Sequence, residues 1–328
     1  MASHATDNPV PALLLSHRLG DETRVPLQAR FPDLRIVNLP EDGVVSLEER
    51  GATVLYRAGM PHDALRKALE LLPDLAWIHT ASAGFNWVLI PEVVARPIKL
   101  TRTATVLDTP IAEFVIATTL ALLKQLPRFM AAQQERRWER SPDMRGLQDA
   151  TVLVIGAGAI GRASAKRFQA FGARTVGIKR DPVPLPEFDE VVGPADLHRT
   201  LAAADVVVVA CPLTPETRHL LGRSEFALMK STAVLVNIAR GEVLVEDDLV
   251  SALRQKTIAG AALDVFTVEP LPSDSPLWEL DNVILTPHAS YYDPRNLGAA
   301  VDEFADNLER FMHGEPLLHE IKSRELGY

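Results

Sequence analysis

Residues 151–161 read Thr-Val-Leu-Val-Ile-Gly-Ala-Gly-Ala-Ile-Gly, a short apolar run that leads into three glycines spaced as G-x-G-x-x-G. The apolar pattern of residues 160–171 predicts that a helix follows the turn at once. In a strand–turn–helix unit, Gly156 permits the tight turn, Gly158 lets the backbone approach a pyrophosphate, and Gly161 allows close packing of helix against strand. This context raises the glycine pattern above a chance match.

The start of the predicted helix supplies the complementary chemistry. The first N–H groups of a helix, here those near Ala159 and Ile160, have no partner within the helix and carry a partial positive charge. Phosphate oxygens bind readily at such a position. The stretch therefore predicts a dinucleotide site, the alternative being a glycine-rich turn that binds nothing.

The residues after the second strand bear on which dinucleotide is bound. Sites specific for NAD usually place an acidic residue there, about 20 residues after the glycines, to bind the ribose 2′-hydroxyl. This chain has Lys179 and Arg180 instead, two cations that would attract a 2′-phosphate unless they are only solvated surface charges. We expect NADP to be preferred and NAD to be possible, since Asp181 comes next and could reach the ribose.

The composition narrows the class of protein. The 328 residues are 47% hydrophobic and 23% charged, which is typical of a globular protein long enough for two domains. A net charge of −9 argues against a nucleic-acid partner. The single cysteine, Cys211, excludes an internal disulfide and a zinc site built from cysteines, so we expect no metal and a reducing compartment. No apolar run reaches the roughly 18 residues of a membrane span, and residues 1–11 lack signal-peptide features, so we expect no membrane partner and a cytoplasmic protein.

Short apolar strands alternate with helical patterns, which indicates an α/β fold with parallel sheets and crossover helices. The predicted strands are 13–16, 35–39, 54–57, 76–80, 99–103, 151–155, 175–179, 205–210, 233–238 and 258–264, and the predicted helices are 61–72, 110–126, 160–171 and 295–313. The helix at 110–126 begins with Pro110 and is limited by Pro127. Because it is apolar on most sides, we expect it to be buried, between domains or subunits.

Further motifs follow the glycine turn in a fixed order. They are Ala-Asp-Val-Val-Val-Val-Ala-Cys-Pro-Leu-Thr-Pro-Glu-Thr at 204–217, Val-Asn-Ile-Ala-Arg-Gly-Glu-Val at 236–243, Ala-Leu-Asp-Val-Phe-Thr-Val-Glu-Pro-Leu-Pro at 262–272, and Leu-Thr-Pro-His at 285–288. Over residues 105–320 this series resembles the D-isomer-specific 2-hydroxyacid dehydrogenase family. The resemblance implies a Rossmann-type cofactor domain at 108–294 and a flavodoxin-like, discontinuous substrate domain formed by 1–107 and 295–328.

The resemblance also implies that Arg240, Glu269 and His288 are catalytic, and their chemistry suits this role. Reduction of a 2-oxo acid needs a hydride at the carbonyl carbon, a proton on its oxygen and a cation for the carboxylate. His288 can act as the general acid near neutral pH, Glu269 paired with it would favour imidazolium, and Arg240 can grip carboxylate and carbonyl oxygens through its planar fork. The alternatives are a purely structural Glu–His pair and an arginine that caps a strand end.

The resemblance assigns further positions to the cofactor. Asp264 ends a buried strand, where it would contact the nicotinamide end or, alternatively, cap a loop. Cys211 and Pro212 end another strand, at the edge where ligands bind in open parallel sheets, and Thr217 would line the cofactor loop. Cys211 has no His or Cys near it in sequence, so we expect no redox or nucleophilic role.

A turn of small residues early in the chain is the predicted substrate loop. Ser82, Ala83 and Gly84 follow the strand that ends at Thr80 and resemble the family's loop whose backbone N–H groups hold the substrate carboxylate. Successive amides suit an anion, although an ordinary turn has the same composition. Arg57 ends a neighbouring strand, and we expect it either to bind substrate in a cleft between the domains or to lie on the surface.

Together these features predict an oxidoreductase that reduces a small 2-oxo acid to the D-2-hydroxy acid with NADPH, for example a glyoxylate or hydroxypyruvate reductase. The resemblance also implies a homodimer. A cofactor-sensing, corepressor-like binding protein of the same fold and a phosphite-oxidising enzyme are the alternatives. The sequence departs from the family at Ala239, where glycine is commoner, and at Tyr291 and Tyr292, which could narrow the pocket or contact another subunit.

Overall fold

A computed structural model describes residues 12–140 and 143–321 of the chain, apart from the side chain of Asn86. The expectation about residues 1–11 therefore concerns a segment outside the described range. The chain divides into two compact units. The discontinuous unit consists of Met1–Leu107 and Asp293–Tyr328, and the central unit is Asp108–Tyr292.

Ten α-helices lie within the described residues. They are α1 (Asp21–Arg30), α2 (His62–Leu71), α3 (Pro91–Val94), α4 (Asp108–Leu123), α5 (Leu126–Gln134), α6 (Ala159–Ala170), α7 (Leu197–Ala203), α8 (Arg223–Leu228), α9 (Glu246–Arg254) and α10 (Asn296–Met312). The sequence patterns did not predict α1, which contains Pro26 and follows Gly20. Proline lacks a backbone donor and disfavours a helix interior, so the local signal for α1 is weak.

The discontinuous unit contains a five-stranded sheet. Its strands are β1 (Ala12–Ser16), β2 (Arg35–Leu39), β3 (Val54–Arg57), β4 (Trp77–Thr80) and β5 (Lys99–Arg102). They pair in parallel in the order β2-β1-β3-β4-β5, which is the flavodoxin-like order. Both faces are covered, since Leu13 and Leu15 pack in a cluster with Phe304 of α10, whereas Leu14 belongs to a cluster with Leu65 of α2.

The central unit contains a seven-stranded parallel sheet. Its strands are β6 (Thr151–Ile155), β7 (Arg174–Ile178), β8 (Glu190–Val192), β9 (Val206–Val209), β10 (Val234–Asn237), β11 (Gly260–Leu263) and β12 (Val283–Leu285). The spatial order is β12-β11-β10-β9-β6-β7-β8. Counted from β6, it contains the Rossmann order 3-2-1-4-5-6 with one strand added. The predicted α/β fold class is confirmed, although the patterns did not predict the half-buried edge strands β8 and β12.

The long apolar helix differs from its prediction at the far end. Pro127 does not limit α4. It lies in the first turn of α5, after Gln125 in the left-handed conformation with φ of 57°. The apolar side chains of α4 are buried against α6 and β10 of the same unit, so their burial needs no subunit contact. No single described helix is long and apolar enough to span a membrane. The pair α4 and α5 together has the length and apolar composition of a span, but the two helices are bent by 65° relative to each other.

Candidate active site

Two of the three glycines in the turn after β6 are required by the fold itself. Gly156 has φ of 109°, which favours glycine, and a Cβ on it would lie 2.6 Å from backbone atoms of Ala210 and Cys211. A Cβ on Gly161 would lie 2.1 Å from the carbonyl oxygen of Gly156. These contacts provide the tight turn and the close helix–strand packing that the sequence predicts.

Gly158 differs because the protein itself leaves room beside it. A Cβ added there would meet no heavy atom within 4 Å. Gly158 is the N-cap of α6. The first N–H groups of that helix, at Ala159 and Ile160, have no acceptor within the helix. The open space and the helix start fit a phosphate group, so this turn can hold the pyrophosphate of a dinucleotide.

The predicted specificity residues follow β7 directly. Lys179 is half-buried and Arg180 is exposed, and Asp181 is exposed beside them. An electrostatic interaction that the sequence did not predict involves Glu216. A hydrogen bond from the Thr214 hydroxyl and the nearby charge of Arg180 hold the pKa of Glu216 below its ordinary value. Arg180 and Glu216 are therefore close enough for their charges to interact, and a role of Arg180 in binding a 2′-phosphate stays a prediction.

The loop after β9 has a well-defined internal structure. The Thr217 hydroxyl donates to the Pro212 carbonyl oxygen at 2.6 Å and accepts from the Thr214 N–H at 2.8 Å. Thr217 thus shapes the predicted cofactor loop. Cys211 is buried, and burial raises the pKa of its thiol to about 12. The thiol is therefore protonated at neutral pH, in line with the expectation that it has no nucleophilic role.

The structure brings Glu269 and His288 into direct contact. Glu269 Oε2 lies 2.9 Å from His288 Nδ1, and Glu269 Oε1 accepts from the Phe266 N–H at 3.0 Å. Burial alone would raise the pKa of Glu269. The hydrogen bonds from His288 and Phe266, together with the charges of His288 and Arg240, outweigh that effect and hold the pKa below its ordinary value. Glu269 is therefore an ionised carboxylate that holds the His288 ring through Nδ1.

We expect Glu269→Gln to remove a pH-dependent part of the protein's stability. A carboxyl group whose pKa is lower in the folded than in the unfolded chain, where it is about 4.3, stabilises the fold above that value. The stabilisation is lost as pH falls through the folded value. Urea unfolding at several pH values should therefore show the two proteins differing most near neutrality and converging in acid. A difference in unfolding free energy that is independent of pH would contradict the ionised pair.

His288 sits on a strained and firmly held loop. Its φ of 52° lies in the left-handed region, where a non-glycine residue is uncommon and strain often accompanies function. The fully buried Asp264 holds this loop: Oδ1 accepts from the Thr286 hydroxyl at 2.6 Å and the Ala289 N–H at 2.9 Å, and Oδ2 accepts from the Ser290 N–H at 3.0 Å. The loop-capping interpretation of Asp264 is therefore what the structure shows, and a contact with nicotinamide stays a prediction.

The two tyrosines after His288 are both exposed, Tyr291 at 46% and Tyr292 at 71%. The Tyr291 ring stands edge-on to the His288 ring, with 6.5 Å between the centroids. Tyr291 can therefore influence the space beside His288, whereas the exposed Tyr292 side chain suits a contact with another molecule.

Arg240 lies just beyond the carboxyl end of β10. Its Nη1 donates to the Ala239 carbonyl oxygen at 2.5 Å, and the Asn237 side chain donates to the Arg240 carbonyl oxygen at 3.0 Å. Burial lowers the pKa of Arg240, while the charges of Glu269 and Glu242 oppose that effect. Arg240, Glu269 and His288 follow the neighbouring parallel strands β10, β11 and β12, so the three predicted catalytic residues lie at one edge of the central sheet.

The predicted substrate loop lies in the discontinuous unit. Ser82, Ala83 and Gly84 are half-buried, and no described residue accepts a hydrogen bond from their backbone N–H groups. Three successive donors of this kind suit an anion, although a partly exposed turn can also leave its amides to solvent. Both interpretations of this loop stay open, and substrate binding by it stays a prediction.

Arg57 is buried, with 5% of its surface exposed, so the interpretation as a surface residue is wrong. Its Nη2 donates to the Met60 carbonyl oxygen at 2.6 Å, and its Nε has no partner among the described residues. Burial lowers its pKa to about 10. Contact of this arginine with substrate stays a prediction.

The fold and these residues define the class of the protein: an α/β oxidoreductase that uses a nicotinamide dinucleotide. Residues 116–290 match the model of the family described as "D-isomer specific 2-hydroxyacid dehydrogenase, NAD binding domain". The chain belongs to this D-isomer-specific 2-hydroxyacid dehydrogenase family, which confirms the resemblance seen in its motifs.

Individual relatives cover nearly the whole chain. Human glyoxylate reductase/hydroxypyruvate reductase is 35% identical over 323 residues, which are 94% of this chain and 97% of that protein. Glyoxylate/hydroxypyruvate reductase B of Citrobacter koseri is 33% identical over 309 residues, 91% of this chain and 95% of that protein. A D-isomer-specific 2-hydroxyacid dehydrogenase from Xanthobacter autotrophicus, solved with NADPH and MES, is 31% identical. It has a TM-score of 0.87 and covers 98% of this chain and 100% of that chain.

Proposed function

We propose that this protein uses NADPH to reduce a small 2-oxo acid to the D-2-hydroxy acid. The observation that carries the proposal is the 2.9 Å contact between Glu269 Oε2 and His288 Nδ1, within reach of the charge of Arg240. An acid held by an ionised partner and a cation that suits carboxylates are the two groups that this reaction requires from the protein.

Each residue has a separate task in this mechanism. The bound dihydronicotinamide supplies the hydride for the carbonyl carbon. Because Glu269 engages Nδ1, His288 would give its proton from Nε2 to the carbonyl oxygen and stabilise the negative charge that develops there. Arg240 would orient the 2-oxo acid through two parallel hydrogen bonds. The amides of Ser82 and Gly84, in the discontinuous unit, suit an anion such as a carboxylate.

Glyoxylate and hydroxypyruvate are the proposed substrates. The human and Citrobacter koseri relatives are named for both acids, and each acid is small enough to need little more than the carboxylate and carbonyl contacts. The test is the loss of reduced nicotinamide absorbance with NADPH and with NADH across glyoxylate, hydroxypyruvate, pyruvate and bulkier 2-oxo acids. Dinucleotide binding without turnover of any of them would instead support the corepressor-like alternative.

Exchanging the two cations after β7 should change the preferred dinucleotide. For Lys179→Asp with Arg180→Ala, we expect KM for NADPH to rise by about 10- to 100-fold while KM for NADH changes little, because one or two charge-assisted hydrogen bonds to the 2′-phosphate are lost. Steady-state kinetics with both dinucleotides measure this ratio. Glu216→Gln should act in the opposite direction, since it removes a negative charge that interacts with Arg180. An unchanged NADPH-to-NADH preference in the double variant would contradict the assignment.

We also propose that the protein is a cytoplasmic homodimer. Several large apolar side chains of the central unit are exposed: Leu126 and Met130 on α5, and Trp138 at 92%. Such side chains are typical of a subunit contact. Its lone cysteine is buried and free, which suits a reducing compartment. Light scattering on the purified protein tests the dimer.

A further inference from the structure

The substrate loop begins at a row of three residues at the end of the small sheet. Arg57 on β3, Thr80 on β4 and Arg102 on β5 are direct neighbours in the strand register. The loop leaves β4 immediately after Thr80, and the Ala81 N–H donates to the Arg57 carbonyl oxygen at 2.9 Å. Two arginines therefore flank the point from which the loop departs.

Arg102 makes the contact that fixes the middle of the loop. Its Nη1 donates to the Ala83 carbonyl oxygen at 2.8 Å, and its guanidinium lies 6.0 Å from the centroid of the Phe85 ring. The next carbonyl oxygen, that of Gly84, accepts from the Ser82 hydroxyl at 2.6 Å. Both carbonyl groups are thus turned toward the protein.

The planarity of the peptide bond converts this contact into an orientation of donors. In a trans peptide, the C=O and the N–H of the next residue point in opposite directions. Holding the Ala83 carbonyl oxygen therefore turns the Gly84 N–H away from Arg102. The cation also polarises the shared peptide group, which strengthens that N–H as a donor. Arg102 thereby determines where the Gly84 donor points and how strongly it binds an anion.

The charge of Arg102 is only partly compensated by the protein. Burial lowers its pKa, and Glu303 is the acidic group that opposes this effect. Glu303 is itself engaged by the Ala104 N–H at 2.9 Å and by the Thr105 hydroxyl at 2.7 Å. Within the described part of the chain, Arg102 forms no ion pair. Its positive charge thus remains available to favour an anion at the loop.

We propose that Arg102 is a positioning residue for the substrate loop: it orients the Gly84 donor and thereby determines the affinity for the substrate carboxylate rather than the rate of the chemical step. This inference rests on the proposed reduction of a 2-oxo acid. Arg102 would act on substrate binding through the backbone of Ala83 and Gly84, without touching the reacting atoms.

The principal test is Arg102→Met, which keeps the length of the side chain and removes its donors and charge. We expect KM for glyoxylate or hydroxypyruvate to rise by about 10- to 100-fold, with kcat and KM for NADPH each changed by less than about threefold. Arg102→Lys keeps the charge and one donor and should restore most of the affinity. Arg102→Gln keeps a donor without the charge and should fall between Lys and Met.

Arg96 provides a matched control in the same unit. It also donates to backbone carbonyl oxygens, those of Leu69 at 3.0 Å and Leu72 at 2.7 Å, and among the described residues none of its hydrogen bonds goes to Ser82, Ala83 or Gly84. Arg96→Met should lower the thermal unfolding temperature without raising KM for the 2-oxo acid. A wild-type KM in Arg102→Met, or an equal rise in Arg96→Met, would overturn the proposal.

Binding of oxalate separates this inference from the proposed function. Oxalate is a small dicarboxylate that can occupy a carboxylate site without reacting, and its Kd can be measured by calorimetry on the NADPH-loaded protein. Suppose that the wild-type protein turns over no 2-oxo acid but binds oxalate. If Arg102→Met then weakens oxalate binding by about 10-fold or more and Arg102→Lys restores it, only the proposed function fails. If turnover were present but both variants bound oxalate like wild type, only the role of Arg102 would fail. If Arg102→Met does not fold, the oxalate Kd values of the other proteins decide the outcome. The proposal expects Kd to increase from wild type to Arg102→Lys to Arg102→Gln, and equal Kd values would overturn it.

Discussion

His288→Ala is expected to lower kcat for 2-oxo acid reduction by about 10²- to 10⁴-fold, the usual contribution of a positioned general acid. The protein would then rely on water to protonate the carbonyl oxygen, because the imidazole that Glu269 holds in place would be lost. The Kd for NADPH should stay within about twofold of wild type, since the residues proposed to bind the dinucleotide phosphates are the glycine turn and the cations after β7, not His288. Rapid-mixing measurements of NADPH oxidation, with fluorescence titration of NADPH, check both parts.

A second histidine–glutamate pair gives this experiment a matched control. His198 on α7 lies 3.1 Å from Glu225 on α8, in the same unit and with the same pairing chemistry, but it is exposed and belongs to no predicted site. His198→Ala should leave kcat unchanged. If the two alanine variants lost activity equally, or if His288→Ala kept its kcat, the general-acid role of His288 would be wrong.

The backbone framework could be read from the sequence because it depends on local signals. The strand at 151–155 and the strand at 54–57 are found where their apolar runs predict them. The glycine turn is similarly local, since the positive φ of Gly156 and the close approach at Gly161 leave no room for a side chain. The helix α1 was missed because Pro26 obscures its pattern, and its packing on α10 is a tertiary contact.

The site could be predicted as a set of residues but not as a set of contacts. The motifs identified Glu269 and His288 as one catalytic set, but the strand that places His288 beside Glu269, β12 (Val283–Leu285), was not predicted. No sequence pattern showed that Asp264 would use both oxygens to hold the His288 loop. The role of Arg102 was equally hidden, because the partner is a backbone carbonyl 19 residues earlier in the chain. A charged residue at the end of a strand next to a predicted loop was the only available signal.

Arg240→Met is expected to lower kcat/KM for the 2-oxo acid by about 30- to 4,000-fold, which corresponds to the loss of about 2–5 kcal/mol that is typical when one partner of a desolvated charge pair is removed. Arg240 is held in place by Asn237 and Ala239, so its guanidinium fork is preorganised for the planar carboxylate and carbonyl oxygens. Arg240→Lys should recover only a part of the loss, since an ammonium group cannot make two parallel hydrogen bonds.

The control for Arg240 is an arginine that pairs with a carboxylate outside the predicted site. Arg223 is exposed and lies 3.3 Å from Asp248, so Arg223→Met should leave kcat/KM unchanged. A further measurement distinguishes lost binding from lost structure: millimolar guanidinium added to Arg240→Met should restore activity partially, because it can occupy the space that the side chain leaves. Full activity in Arg240→Lys would show that only charge matters at this position, and the bidentate role inferred from the planar fork would then be wrong.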